Sequence, residues 1–169
     1  MMNPNTFWSL IKTSQKNLTN LELYEQADAL MYLLAKESLD TICDFHLRLT
    51  RLQEELSTAH TIAVASTITK SDELLSAHTI KGFANWVIAH GEEHYNKARQ
   101  DSTYLFTLRD EKKYIYLQDL NFVAGGAYYE KMERKGLDAD DWGGLIYRYR
   151  MQELEKIIPS SNKDQSLER

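Results

Sequence analysis

The sequence predicts an all-α protein, a single-domain bundle of six to eight helices over residues 5–158, and three observations predict it. Apolar residues return at intervals of three and four through most of the chain, the spacing that gathers them on one face of a helix. Only two prolines occur, Pro4 and Pro159, so nearly the whole chain between them runs without a proline break. Runs of Val, Ile and Thr alternating at period two are scarce, and the one that could pass for a strand is TIAVASTIT, Thr61 to Thr69. A length of 169 residues fits one hydrophobic core.

Taken in order, Asn5 or Thr6 caps a first helix running to about Lys16, with Phe7, Leu10 and Ile11 on its buried face and Trp8 beside it. The polar LTN that follows is a connection. Asn20 caps a second helix, whose stripe is Leu23, Ala27, Leu30, Met31 and Leu34, and which ends near Lys36. Ser38 caps a third, continued at helical spacing by Ile42, Phe45, Leu49, Leu52 and Leu56. The short joint between these two predicts an antiparallel hairpin. From Ser57 to Lys70, Ile62, Ala65 and Ile68 keep a spacing of three, and the alanines favour helix against four threonines.

Ser71 or Ser76 then caps the pivotal helix, with Ile80, Phe83, Ala84, Val87 and Ile88 on one face and Gly91 as its stop. EEHYNKARQ restarts helix, and DSTYLFTLRDEKK reads as a capped turn or short helix. A long helix is expected from about Glu111 to Lys135, carrying Gly125–Gly126 in its middle. Each glycine there costs about 1 kcal/mol relative to alanine. Close packing against a neighbour, a kink, or a ligand-lining bend would each account for them. Gly136 stops that helix. Asp138, Asp140 and Asp141 precede a last helix, WGGLIYRYRMQELEKII, ended by Pro159, and the polar residues 159–169 read as a disordered tail.

Composition narrows function by exclusion. A net charge of −5 gives no electrostatic case for nucleic acid. The single cysteine, Cys43, rules out an internal disulfide framework and suits a reducing compartment. The start, MMNPNTFWSLIKTSQKN, lacks a basic stretch followed by a long apolar run, so no signal peptide is expected. No apolar run approaches the ~18 residues of a membrane span, and the cytoplasm is the expected location.

One motif carries possible chemistry. HGEEH, His90 to His94, matches H-x-x-E-H, an inverted zinc-peptidase signature. Two imidazoles one helical turn apart would hold zinc, Glu93 would be the base, and Glu130 or Glu133 the further ligand. Gly91 lies inside the motif, where the apolar pattern ends, and a broken helix would unstack the pair. We expect surface histidines there and assign no catalytic, cofactor or metal residue. His46, His60 and His78 are scattered, with a surface pairing of His60 and Glu54 or Glu55 expected. Cys43 is expected to be a small buried side chain. The three aspartates lack the twelve-residue register of a calcium loop and read as helix caps. Gly125–Gly126 and Gly143–Gly144 fit no phosphate-binding pattern. Tyr147, Arg148, Tyr149 and Arg150 alternate, but helical neighbours point about 100° apart and form no stacking platform. Tyr147, Met151 and Leu154 are expected inward and Arg148 outward.

The chain also resembles a family of small bacterial domains of unknown function, some of them found beside WGR-type modules. FWSLI (Phe7 to Ile11), the Gln26…Leu30…Leu33 segment and the Ile42…Phe45 helix carry the similarity. Its strongest part is F-x-x-W-x-I-x-x-G-x-x-x-Y-x-x-A, met by Phe83, Trp86, Ile88, Gly91, Tyr95 and Ala98, with Asp101 following. It spans about residues 6–136. The family's glycine-rich turn and paired aspartates are only partly matched by Ser71, Asp72 and Glu73. The resemblance implies no reaction, no cofactor and no histidine pair. The expected role is therefore a non-catalytic interaction with another protein, not with nucleic acid or membrane, with toxin neutralisation by an immunity protein as one version. The alternative is a zinc-dependent hydrolase using His90 and His94.

Overall fold

A computed structural model describes residues 2–16, 23–70, 76–108 and 117–157. These form nine α-helices and two 3₁₀ turns, with no strand among the described residues. The protein is all-α. The helices are α1 (Pro4–Ser14), α2 (Leu23–Leu34), α3 (Leu39–Leu56), α4 (Ala59–Thr69), α5 (Ala77–Ala89), α6 (Glu92–Gln100), the single turn α7 (Leu105–Leu108), α8 (Val123–Arg134) and α9 (Trp142–Ile157).

The helix starts follow local chemistry. Ser38 and Ser76 accept hydrogen bonds from the backbone N–H groups of Thr41 and Thr79, both at 3.1 Å, as their sequence positions predict. At α1 the cap is Asn3 rather than Asn5 or Thr6. Its Oδ1 accepts from Asn5 N–H at 2.8 Å, because Pro4 is pre-set for the first helical position and has no N–H to leave orphaned. The expected cap Asn20 lies outside the described residues, as do Ser71, Asp72, Glu73 and the tail 159–169. In α4, Thr67 and Thr69 donate back to the carbonyls of Ala63 and Ala65, which keeps both hydroxyls satisfied within the helix.

One apolar cluster joins these elements. Phe7, Ile11, Leu30, Leu34, Ile42, Phe45, Phe83, Ile88, Leu105 and Leu120 are almost fully buried within it. The expected α2–α3 hairpin is not the main pairing. α2 packs chiefly on α8 and α1, while α3 packs on α8, α5 and α6. Gly126 lets α8 lie close against α2: a Cβ there would lie 2.6 Å from Met31 Sδ.

The expected long helix 111–135 is not continuous. Residues 109–116 lie outside the description, Leu117 and Gln118 are not helical, a 3₁₀ turn covers Asp119–Asn121, and α8 begins at Val123. Leu117 explains the break. Its N–H donates to Gly82 O at 3.0 Å and its carbonyl accepts from Asn85 Nδ2 at 3.0 Å, so both its backbone groups are committed to α5. Gly82 makes room: a Cβ there would fall 2.6 Å from Gln118 Nε2.

Candidate functional site

Four carboxamides form an uncharged joint beneath the surface between α3, α5 and the 3₁₀ turn. Gln53 Nε2 donates to Asn85 Oδ1 at 2.6 Å and to Asn121 Oδ1 at 2.9 Å. Asn85 Nδ2 donates to Asn121 Oδ1 as well as to the Leu117 carbonyl, both at 3.0 Å. Asn121 Nδ2 in turn donates to Gln118 Oε1, and Gln118 Nε2 to the His78 carbonyl. Gln53 and Asn85 are buried, so the network fixes a unique register for the turn. Asn121 is thereby fixed, and Phe122 beside it stands 66% exposed.

Two recesses meet at Asn121 and Phe122. The larger, about 540 Å³, lies between α2, the start of α8 and the start of α9. Trp142, Tyr129 and Phe122 give it aromatic walls, and Gly125, Gly126 and Met31 line its base. The glycine pair is thus both a close-packing device and part of a lining. A Cβ on Gly125 would meet the Trp142 ring at 3.3 Å. Asp28, Asp119 and Asp141 are its acidic side chains, and no described residue lining it is basic. The smaller recess, about 350 Å³, has the opposite character, with His46, His78 and Lys81 around it. His46 and Trp142 are in edge-to-face contact at 5.6 Å. Burial, and after it the Lys81 charge, pushes the His46 pKa down, and its buried Nδ1 meets no hydrogen-bond partner among the described residues.

In the HGEEH segment the helix is interrupted between the two histidines. Helix α5 ends at Ala89, and Gly91 takes φ +100°, a conformation that strains any residue with a Cβ, before α6 begins. The two rings still come within 5.9 Å. His90 Nδ1 donates to the Trp86 carbonyl at 2.7 Å, and His94 Nδ1 lies 2.8 Å from the Tyr104 hydroxyl. The carboxylates named from the sequence are engaged elsewhere or exposed. Glu93 is exposed and bonded to Lys97 at 2.6 Å, Glu130 is held by Arg134 at 2.7 Å, and Glu133 is exposed. Among the described residues no three His, Cys, Asp or Glu side chains form a group that could hold a metal ion.

The other sequence candidates resolve individually. Glu55 is partnered by Tyr95, Arg51 and Arg99 rather than by His60. Cys43 is buried, and burial followed by the Asp40 and Asp44 charges pushes its thiol up to about 11, which leaves it a poor nucleophile. Asp141 Oδ2 accepts from Gly144 N–H at 2.7 Å at the start of α9, and Asp140 faces Arg148 at 3.4 Å, so two of the three aspartates serve that helix.

The orientation of α9 reverses the sequence expectation. Tyr147, Met151 and Leu154 point outward, at 65%, 41% and 43% exposure. The inward side is set instead by Trp142, Leu145 and Tyr149, at spacings of three and four. Trp142 packs on Tyr128, and Tyr149 donates to Asp44 at 3.1 Å. Arg148 is outward, as expected. The carboxamide joint is the feature that sequence reasoning missed. Its available signal was Asn85, the one polar side chain within the run Gly82–Ala89, all of which is buried.

No helix among the described residues is long and apolar enough to cross a membrane. No curated protein and no solved structure matches the chain. A family of proteins of unknown function, DUF4240, matches residues 2–130, and the chain belongs to that family.

Proposed function

We propose that this protein is a single-domain, non-catalytic protein-interaction module that works in the cytoplasm. The observation that carries the reading is the outward stripe of α9. Tyr147, Met151 and Leu154 lie four and three residues apart on the solvent side of one helix. A helix that turns its large apolar residues away from its own core gains nothing from them in the free protein, but presents spaced anchors to a partner's groove. Phe122, Tyr129 and Leu137 add exposed apolar surface in the preceding segment. A toxin-neutralising immunity protein is the concrete version that fits a small, acidic, all-helical chain.

The zinc-hydrolase reading has weaker support, since among the described residues no group of three His, Cys, Asp or Glu side chains gathers around the His90–His94 pair. Affinity capture from the host organism tests the preferred one. The wild-type chain is expected to retain a specific protein that Met151→Asp/Leu154→Asp does not retain. Retention of nothing above background by the wild type refutes the reading. Growth rescue on co-expression with the captured protein would identify it as a toxin.

A further inference from the structure

We propose that the cleft between α2, α8 and α9 receives an arginine side chain from a partner protein, an inference that rests on the interaction reading. Three properties of the cleft select this occupant. The first is charge. Among the described residues Asp28 and Asp119 enter no ion pair or side-chain hydrogen bond, and Asp141 directs one carboxylate oxygen to its own helix start. Elsewhere on the surface the carboxylates of Glu55, Glu93, Glu130 and Asp140 each face an arginine or lysine. The cleft is thus a place where carboxylates gather with no cation among its described lining residues to answer them.

The second property is the walls. Trp142, Tyr129 and Phe122 present ring surface, and a cation over an aromatic face gains from the ring's quadrupole. The third is size. A cleft of about 540 Å³ is far too roomy for a bare ion, and no three of its acids converge on one point. A planar guanidinium suits such a site better than an ammonium. It stacks on rings, is weakly hydrated, and its five N–H groups reach separated carboxylates at once. The recess on the other side of Phe122 carries the Lys81 ammonium, which repels the same charge and so favours the acidic side.

The test is amide NMR on the full chain, titrated with N-acetyl-arginine amide, its lysine counterpart, and N-acetyl-citrulline amide, the neutral isostere of the arginine probe. The arginine probe is expected to give saturable shifts at the Gly125 and Gly126 amides and at the Trp142 indole N–H. Citrulline should give none. The double variant Asp28→Asn/Asp119→Asn should keep its remaining spectrum and bind the arginine probe about tenfold more weakly, the scale of two partly solvated charge contacts. Raising salt should weaken the wild-type titration further.

Absence of saturable shifts, equal binding of citrulline, or equal binding of the lysine probe overturns the proposal. Host-protein capture separates it from the broader reading. If wild type and the double variant retain the same partner equally, the cleft is not the docking point, although the interaction reading stands. Saturable arginine binding by a chain that captures no protein removes the partner and leaves only the cleft's chemistry.

Discussion

Asn85→Leu removes the central member of the buried carboxamide joint without a large change in volume. In the wild type, Asn85 accepts one hydrogen bond from Gln53 and donates to Asn121 and to the Leu117 carbonyl. Asn121 Oδ1 keeps its bond from Gln53 in the variant. One N–H of Gln53 and the Leu117 carbonyl are left without a partner. A buried polar group so orphaned costs about 1–3 kcal/mol, and the added leucine methyls recover part of the sum, so the net loss is about 2–4 kcal/mol. That is a large part of a domain's typical ~5–15 kcal/mol. Urea unfolding followed by circular dichroism measures it. Asn85→Asp adds a pH signature. Its carboxylate would face the Leu117 carbonyl and Asn121 Oδ1, both acceptors, so the folded state should raise its pKa above the unfolded value of about 3.9. Stability is then retained below that value and lost as pH rises through the folded pKa. The aspartate variant should be the less stable of the two at neutral pH and recover on acidification. A leucine variant costing less than about 1 kcal/mol, or an aspartate variant at least as stable as it at neutral pH, would refute the assigned geometry.

Gly126→Ala should destabilise by about 1 kcal/mol, since displacing Met31 outweighs the helix-propensity gain, whereas Gly125→Ala, 3.3 Å from Trp142, should be closer to neutral; urea midpoints compare them. Tyr95→Phe removes the hydroxyl that donates to Glu55 at 2.9 Å and should cost about 1 kcal/mol. Burial pushes the Glu55 pKa up, but the Tyr95 hydroxyl, Arg51 and Arg99 more than offset it and leave it lowered. Its stabilisation is therefore present above the unfolded pKa and lost as pH falls through the folded one, and Tyr95→Phe should flatten that acid limb in a thermal-melt series. His46 is also held low, so it folds neutral, and stability should fall as pH drops below its unfolded value of about 6.5; His46→Phe should abolish that slope while keeping the ring contact with Trp142. Protein purified without added metal should carry far less than one zinc per chain by elemental analysis, and stoichiometric zinc lost on His94→Ala would restore the hydrolase reading.

Much of the fold could be read from periodicity. The α3 stripe Ile42, Phe45, Leu49, Leu52 and Leu56 is buried as its spacing requires, and the Ser38 and Ser76 caps fall in place. Periodicity failed where a different force decided. Leu117 and Leu120 keep helical spacing and are both buried, yet the chain between them is not α-helical, because α5 takes up the Leu117 backbone groups. In α9 two stripes compete, and a hydrophobicity count prefers Tyr147, Met151 and Leu154. Trp142 and Tyr149 face inward, where the Trp142 ring packs on Tyr128 and the Tyr149 hydroxyl donates to Asp44. The candidate site was least legible. Gln53 and Asn85 are 32 positions apart, and Gln53 and Asn121 are 68 apart, so their meeting is a product of tertiary folding.

Neither asparagine nor glutamine gains or loses a proton across the physiological range. A hinge pinned by oppositely charged side chains would slacken in acid or brine, whereas one pinned by neutral amides holds the ridge at Phe122 in the same place throughout. Acidity and ionic strength can then retune the attraction felt at the mouth of the groove while its contour stays constant.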